Sequence, residues 1–244
     1  MTLCTVILLA TADPAWAQSS YSIELEAGPT WQARNDVQIP NDASADRFDL
    51  TDILGSGPWA TARLNAIWNL NERHGLRLVL APLVIEERGQ FDQDVRFNGE
   101  TFIANTPVDA RYRFNSWRLG YRYQFYDAND WQFWVGGTLK LRDANIRLMQ
   151  GVTRANDDDL GLVPLLHLAG EYQLNPRWHF EFDFDGLVAG PGRALDLGLK
   201  LGYAVNDHWR ITAGYRGFEG GVDIDDVYSF GWFNTALLSA QYRF

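Results

Sequence analysis

One set of side chains has the spacing for proton-transfer chemistry: His167, then the turn Asn175-Pro176-Arg177, then Asp183 and Asp185. If Leu174 pairs with Trp178 across that turn, antiparallel register sets His167 opposite Asp185. Both side chains then share one face, with Asp183 one step further along it. A histidine held beside carboxylates can act as a general base in a hydrolase. The same trio can equally be a structural ion-pair cluster, since such clusters perturb titration as active sites do. The remaining candidates carry less. His74 and His208 fall in short turns. Asp157-Asp158-Asp159 reads as a solvated turn; cation bridging to lipopolysaccharide is the functional alternative, but the spacing matches no calcium motif. Cys4 is the only cysteine and lies in a leader-like segment, so the mature chain is expected to have neither a disulfide nor thiol catalysis. No cofactor and no metal is expected. A net charge of −10 argues against nucleic acid as a partner.

The elements that must position these groups are strands. Hydrophobic content is 46% while mean hydropathy is −0.25, so apolar residues are interleaved with polar ones. The chain has no apolar run long enough for a transmembrane helix. A short pattern recurs: a strand ending on Tyr or Trp, a polar turn, and a strand opening on Trp. Examples are Tyr123 to Trp131, Tyr172 to Trp178 and Tyr203 to Trp209, with a fainter copy after Trp68. Working outward from these turns gives ten strands, near 20–34, 59–70, 75–87, 109–125, 131–148, 160–174, 178–186, 194–205, 209–218 and 228–244. The connections between them near 35–58, 88–108, 149–159, 187–193 and 219–227 are mostly longer. The second contains Asn98-Gly99, the signature of a small extra hairpin.

Each strand has two faces. One phase is free of charge, as in Leu76, Leu78, Leu80 or Leu195, Leu197, Leu199, Leu201. The other carries sixteen charges: Glu24, Glu26, Arg63, Arg77, Arg118, Arg122, Lys140, Arg142, Glu171, Glu181, Asp183, Asp185, Asp196, Lys200, Arg210 and Arg216. A soluble barrel would turn the apolar phase inward. Three features point the other way together: a rim of aromatics at the short turns, an aromatic at the chain end, and glycines such as Gly120, Gly136, Gly198, Gly202 and Gly214 on the charged face. Glycine there suits a narrow interior. The expected fold is therefore all-β, an antiparallel up-and-down transmembrane barrel of about ten strands, charges inside and lipid outside. Trp68, Tyr123, Trp131, Tyr172, Trp178, Tyr203, Trp209 and Tyr242 form its aromatic girdle. Pro82 and Pro164 lie on the lipid phase, and a bulge is expected at each.

The two ends of the chain extend this reading. Residues 3–10 are apolar and Ala15-Trp16-Ala17 is a cleavage pattern, so residues 1–17 are expected to be a signal peptide and 18–244 the barrel domain. The last segment alternates Ala236, Leu238, Ala240, Tyr242 and Phe244 with Thr235, Ser239, Gln241 and Arg243. It resembles the C-terminal strand of Gram-negative outer-membrane β-barrel proteins. The resemblance implies that Tyr242 and Phe244 are part of the signal read by the barrel-assembly machinery. It also implies an outer-membrane location, with lipid and lipopolysaccharide as surroundings. An even strand count puts both termini at the periplasmic side and the longer connections outside.

Ten strands lie below the range that leaves a wide channel. The sixteen wall charges divide into nine basic and seven acidic, so a salt-bridged plug is the first expectation. The function expected is a structural or surface-interaction role without enzymatic activity. A narrow porin-like channel is the first alternative. The second is a hydrolase using His167 with Asp183 or Asp185. Its geometry resembles that of the ten-stranded omptin proteases, though no omptin-like sequence run is present. A lipid A deacylase would need an outward Ser-His pair, whereas Ser116 and Ser239 are expected to point inward.

Overall fold

A computed structural model describes residues 20–190 and 192–244; the expected signal peptide lies outside the described residues. Strands of alternating polarity need a partner on each edge, and here they find them by closing a ring. In chain order the elements are β1 (Ser20–Gln38), β2 (Phe48–Asp49), the single helical turn α1 (Thr51–Leu54), β3 (Trp59–Asn69), β4 (His74–Ala81), β5 (Val84–Gly89), β6 (Val95–Phe97) and β7 (Glu100–Phe102). There follow β8 (Val108–Ala128), β9 (Trp131–Gln150), β10 (Thr153–Gln173), β11 (Trp178–Ala189), β12 (Gly192–Ala204), β13 (Trp209–Ile224) and β14 (Val227–Arg243). Neighbours pair antiparallel in sequence order, and β14 returns to β1, from Ser22↔Arg243 to Gln38↔Tyr228. β4 and β5 are two halves of one stave, because both follow a single register on β8, with Ala81↔Ser116 and Val84↔Arg113. The result is a closed barrel of ten staves.

The predicted phases hold on the outside. Leu119, Leu139, Leu162 and Leu238 are exposed around the wall. Among the described residues no helix is long and apolar enough to cross a membrane, and the crossing elements are strands. Tyr and Trp meet across neighbouring strands at the short-turn end. Trp131–Tyr172 centroids lie 4.6 Å apart, Trp209–Tyr242 5.0 Å, Trp178–Tyr203 5.1 Å and Tyr21–Trp68 5.7 Å. Phe244 extends this rim, its amide donating to the Tyr21 carbonyl at 3.0 Å.

Three expectations are corrected. First, neither Pro82 nor Pro164 makes a bulge. Register is unbroken at both, Pro164 standing opposite Leu139 on β9. Each proline instead ends a ladder on one side. The β3–β4 ladder stops at Leu64↔Leu80, and the β10–β11 ladder stops at Leu166↔Gly186. Continuing those registers would bring Ala62 to Pro82 and Pro164 to Val188. Backbone groups point alternately to the two neighbouring strands, and the missing N–H of each proline falls on the side where pairing stops. The register shifts that do occur are at Gln32/Arg34 in β1 and Gln124/Tyr126 in β8. Second, three of the five connections expected to be long loops are mostly strand. β9 and β10 run to a turn at Gly151-Val152, and β13 and β14 to one at Asp225-Asp226. Asp157, Asp158 and Asp159 thus lie within β10 rather than in a turn.

Third, the two genuinely long connections form a cap rather than open loops. Residues 39–58 and 90–107 pack over one end of the barrel. Phe48, Leu50, Ile53, Phe91, Val95, Phe97 and Phe102 share a buried core with Val108, Tyr112 and Leu148 of the staves. Phe48 meets Phe91 and Phe97 edge-on at 5.2 and 5.8 Å. The expected hairpin β6–β7 is present, with Asn98 and Gly99 both at positive φ as a two-residue turn requires. Asn98 anchors it by donating to the Asn156 carbonyl at 2.8 Å.

Candidate functional site

Charged side chains on the inward phase of seven staves converge on one connected cluster halfway down the barrel. At its centre, β11 and β12 register Asp185 opposite Asp196. Facing carboxylates repel, and Arg118 from β8 resolves this by bridging them, Nη1 to Asp185 at 2.9 Å and Nη2 to Asp196 at 2.5 Å. Arg77 supports Asp185 at 3.1 Å, and Thr138 donates to it at 3.0 Å. Asp196 also takes Arg63 at 2.9 Å and Arg216 at 2.7 Å. Arg216 reaches on to Asp183 and Glu26, each at 3.0 Å. Lys200 then links Glu26 at 3.2 Å, Glu24 at 2.7 Å and Glu181 at 3.4 Å. Five cations (Arg63, Arg77, Arg118, Lys200, Arg216) thus meet six carboxylates (Glu24, Glu26, Glu181, Asp183, Asp185, Asp196). Ser239 completes the shell by donating to Glu24 at 2.6 Å.

Space for this cluster comes from glycine. A Cβ on Gly198 would stand 2.6 Å from the Asp183 carboxylate and 2.7 Å from the Arg216 guanidinium. One on Gly202 would stand 2.2 Å from the ring of buried His179.

Not every predicted wall charge joins. Arg210 pairs with Glu171 at 2.9 Å nearer the short-turn end. Arg122 donates to Asn69 at 2.9 Å and lies over the Trp134 ring. Arg142 pairs with Asp159 towards the cap. Lys140 is fully buried, and its ammonium sits between the rings of Phe114 and Phe218 at 4.7 and 4.8 Å. Those rings belong to a layer that sequence patterning missed: Tyr112, Phe114, Phe218 and Phe233 point inward above the charges, with Phe114–Phe218 centroids 5.2 Å apart. An apolar residue on the charged phase was the available signal.

His167 does stand opposite Asp185, as the turn register requires. Its Nδ1 lies 2.9 Å from Asp185 Oδ1 and 3.2 Å from the Phe184 carbonyl. Arg77 Nη1, a donor, stands 2.9 Å from the same nitrogen, so these contacts fix no single tautomer; Nε2 has no partner. The ring is 1% exposed. Asp183 stands further along the face, held by Arg216 rather than by the histidine. His74 and His208 are rim residues, bonded to the Tyr121 hydroxyl and the Arg243 carbonyl.

The cluster separates two vestibules. One, of about 600 Å3, opens at the short-turn end and is lined by Arg122, Trp134, Glu171 and Arg243. The other, of about 560 Å3, lies under the cap end and is lined by Lys140, Arg142, Asn145, Asp157 and Arg193.

Comparison with solved structures agrees with this architecture. The Escherichia coli outer membrane protease OmpT superposes with a TM-score of 0.53 at 10% identity, over 92% of this chain and 97% of that one. The β domain of the Bordetella autotransporter BrkA gives 0.48 at 14% identity, over 93% and 98%. The Yersinia pestis attachment invasion locus protein Ail gives 0.40 at 14% identity, over 93% and 99%. No protein-family model and no curated protein matches the sequence. The likeness to OmpT is one of fold. The chain thus has the closed, small β-barrel fold found in outer-membrane proteins.

Proposed function

We propose that the protein is an integral outer-membrane barrel whose lumen is sealed, and that it serves as a rigid scaffold presenting its capped end at the cell surface. The observation that carries this is the bridge of Arg118 between Asp185 and Asp196, extended by Arg63, Arg77 and Arg216 across the barrel. Each of these side chains is less than a tenth exposed, and each has its charge answered. Buried charges that are paired and hydrogen-bonded hold their places, because removing either partner strands the other in a medium that solvates it poorly.

In this reading the termini and short turns face the periplasm, lipid and lipopolysaccharide surround the wall, and Tyr242 and Phe244 engage the assembly machinery. His167 belongs to the seal rather than to catalysis, since Nε2 is enclosed and Asp185 is committed to two arginines. Planar-bilayer recording of refolded protein tests the proposal. No steady conductance is expected; large, reproducible single-channel steps overturn it in favour of a pore. Peptide or lipid A cleavage lost in a folded His167→Ala variant would instead establish a hydrolase.

A further inference from the structure

Of the two lateral interruptions in the described wall, one faces a small cavity inside the barrel. Below Leu64↔Leu80 the β3–β4 wall is continuous; above it, no backbone pair joins β3 to β5 among the described residues. The interruption covers Ala60 to Arg63, about 13 Å of strand. Its upper end is fastened by a side chain, with Trp59 Nε1 donating to Glu87 at 3.0 Å. Register would set Ala62 against Pro82, whose nitrogen has no hydrogen to give. The edges therefore cannot zip at that pair without another residue in place of the proline.

Behind the gap lies a cavity of about 100 Å3. Its rim includes Ala27, Gly28, Ala62, Ala81 and Pro82. Phe114, Phe218, Phe233 and Leu237 supply apolar walls, while Glu26, Arg63, Arg118, Asp196 and Arg216 form the charged side. Thr30, between Thr61 and Thr235 at 2.7 Å each, lines the same space. Arg63 is 7% exposed, and its Nη2 is buried without a hydrogen-bond partner. An apolar cavity of about 150 Å3 accepts benzene, so this smaller one holds a few methylenes as it stands and takes a ring only as its walls relax. The gap lies at the upper edge of the apolar belt: outward Leu78 and Leu119 are exposed below it, and register on β8 puts Pro82 level with Asn115.

We infer that the gap at Ala62 and Pro82 is a side door, through which a small amphiphile dissolved in the bilayer enters and binds in the cavity. Its apolar body packs against Phe114, Phe218 and Leu237. A single acceptor oxygen answers Arg63 Nη2, a buried donor that otherwise carries a desolvation cost. Ligand class follows from the two chemistries of the cavity, and route from the position of the gap at the edge of the apolar belt. The interruption at Pro164 differs, since it borders the vestibule under the cap and not this cavity.

The test uses 4-fluorophenol and the purified protein in lipid nanodiscs, read by fluorine saturation-transfer NMR. A bound resonance exchanging with the bilayer pool is expected. Leu237→Trp, which fills the cavity and leaves the rim alone, should abolish it; the milder Leu237→Phe should weaken binding at least threefold. Ala62→Trp, which obstructs the rim, should slow exchange at least tenfold at unchanged equilibrium occupancy. Heat-modifiable gel migration establishes that each variant is a folded barrel. Absence of a bound resonance in the parent protein overturns the site. Unchanged exchange in Ala62→Trp overturns the side door, because the ligand then arrives through a vestibule.

Discussion

The barrel has two interiors, and they are built from opposite materials. Halfway down, the staves enclose arginines and carboxylates; under the cap, the same staves enclose Val108, Ala110, Tyr112, Ile146 and Leu148. β8 shows the change within a single strand. At Trp117, Leu119 and Tyr121 the outward phase is apolar and the inward phase is Ser116, Arg118, Arg122. From Asn115 upward the outward phase becomes Asn115, Arg113, Arg111, Asp109, while Phe114, Tyr112, Ala110 and Val108 turn in. β9 inverts at Asp143, registered opposite Asn115. Burial of apolar surface stabilises the inside only where the outside is water. Where the outside is lipid, the interior is free to hold charge, provided every charge is paired. The inversion therefore marks the edge of the hydrocarbon layer in the protein's own residues.

Removing a single carboxylate attacks the polar interior most directly. Asp196→Ala leaves Arg63, Arg118 and Arg216 without their shared acceptor, and should destabilise the barrel by about 3–5 kcal/mol in urea unfolding from lipid vesicles. A loss under 1 kcal/mol would mean that the arginines find other partners. Phe97→Ala in the cap should cost about 3–5 kcal/mol as well, but locally. Protease should then cut within 88–108 while gel migration still reports a closed barrel. Simultaneous loss of both would show that the two interiors fold as one.

The inversion itself is tested by swapping polarity on β8. Leu119→Arg should cost about 2–4 kcal/mol, as arginine near the bilayer midplane does. Arg111→Leu should change stability by no more than about 0.5 kcal/mol, apart from loss of its ion pair with half-exposed Glu86. Equal costs at both positions would remove the boundary from Asn115. The smallest effect is expected at the cap surface, where the hydrogen bond from Arg96 holds the pKa of Asp46 below the usual aspartate value. A depressed carboxylate adds stability above its unfolded pKa and loses it as pH falls through the folded one. Asp46→Asn should therefore cost at most about 1 kcal/mol at pH 7, and the difference should shrink as pH falls below the ordinary aspartate range. It is read from hydrogen exchange of β6.

Strand number, pairing order, facing and the aromatic rim were legible because each rests on period two and on turn residues. His167 opposite Asp185 followed from one turn. Residues that depend on which medium lies outside were not legible in the same way. The phase of Phe114 and Phe218 looks anomalous until the polarity inversion is seen, and Asp157 to Asp159 look like a turn because acidic strand residues exposed to water resemble loop. The cap was hidden for another reason. Its core is assembled from residues 39–58 and 90–107, segments far apart in sequence and without periodicity. The prolines were recognised as irregular, but a lost donor and an inserted residue have the same sequence signature, and only pairing tells them apart.

The length of β8 carries a further meaning. Its 21 residues span about 70 Å of strand, or about 50 Å of height at the usual barrel tilt, roughly twice the apolar band of an outer-membrane barrel. The surplus gathers largely on the capped side, where β9, β10, β13 and β14 also run on past the belt. In the orientation proposed above, such a barrel stands on the membrane like a pedestal, lifting its cap clear of the headgroups on a stiff stem. Whatever approaches that surface meets a fixed, preshaped face rather than loops that must first be ordered, so little conformational entropy remains to oppose its attachment.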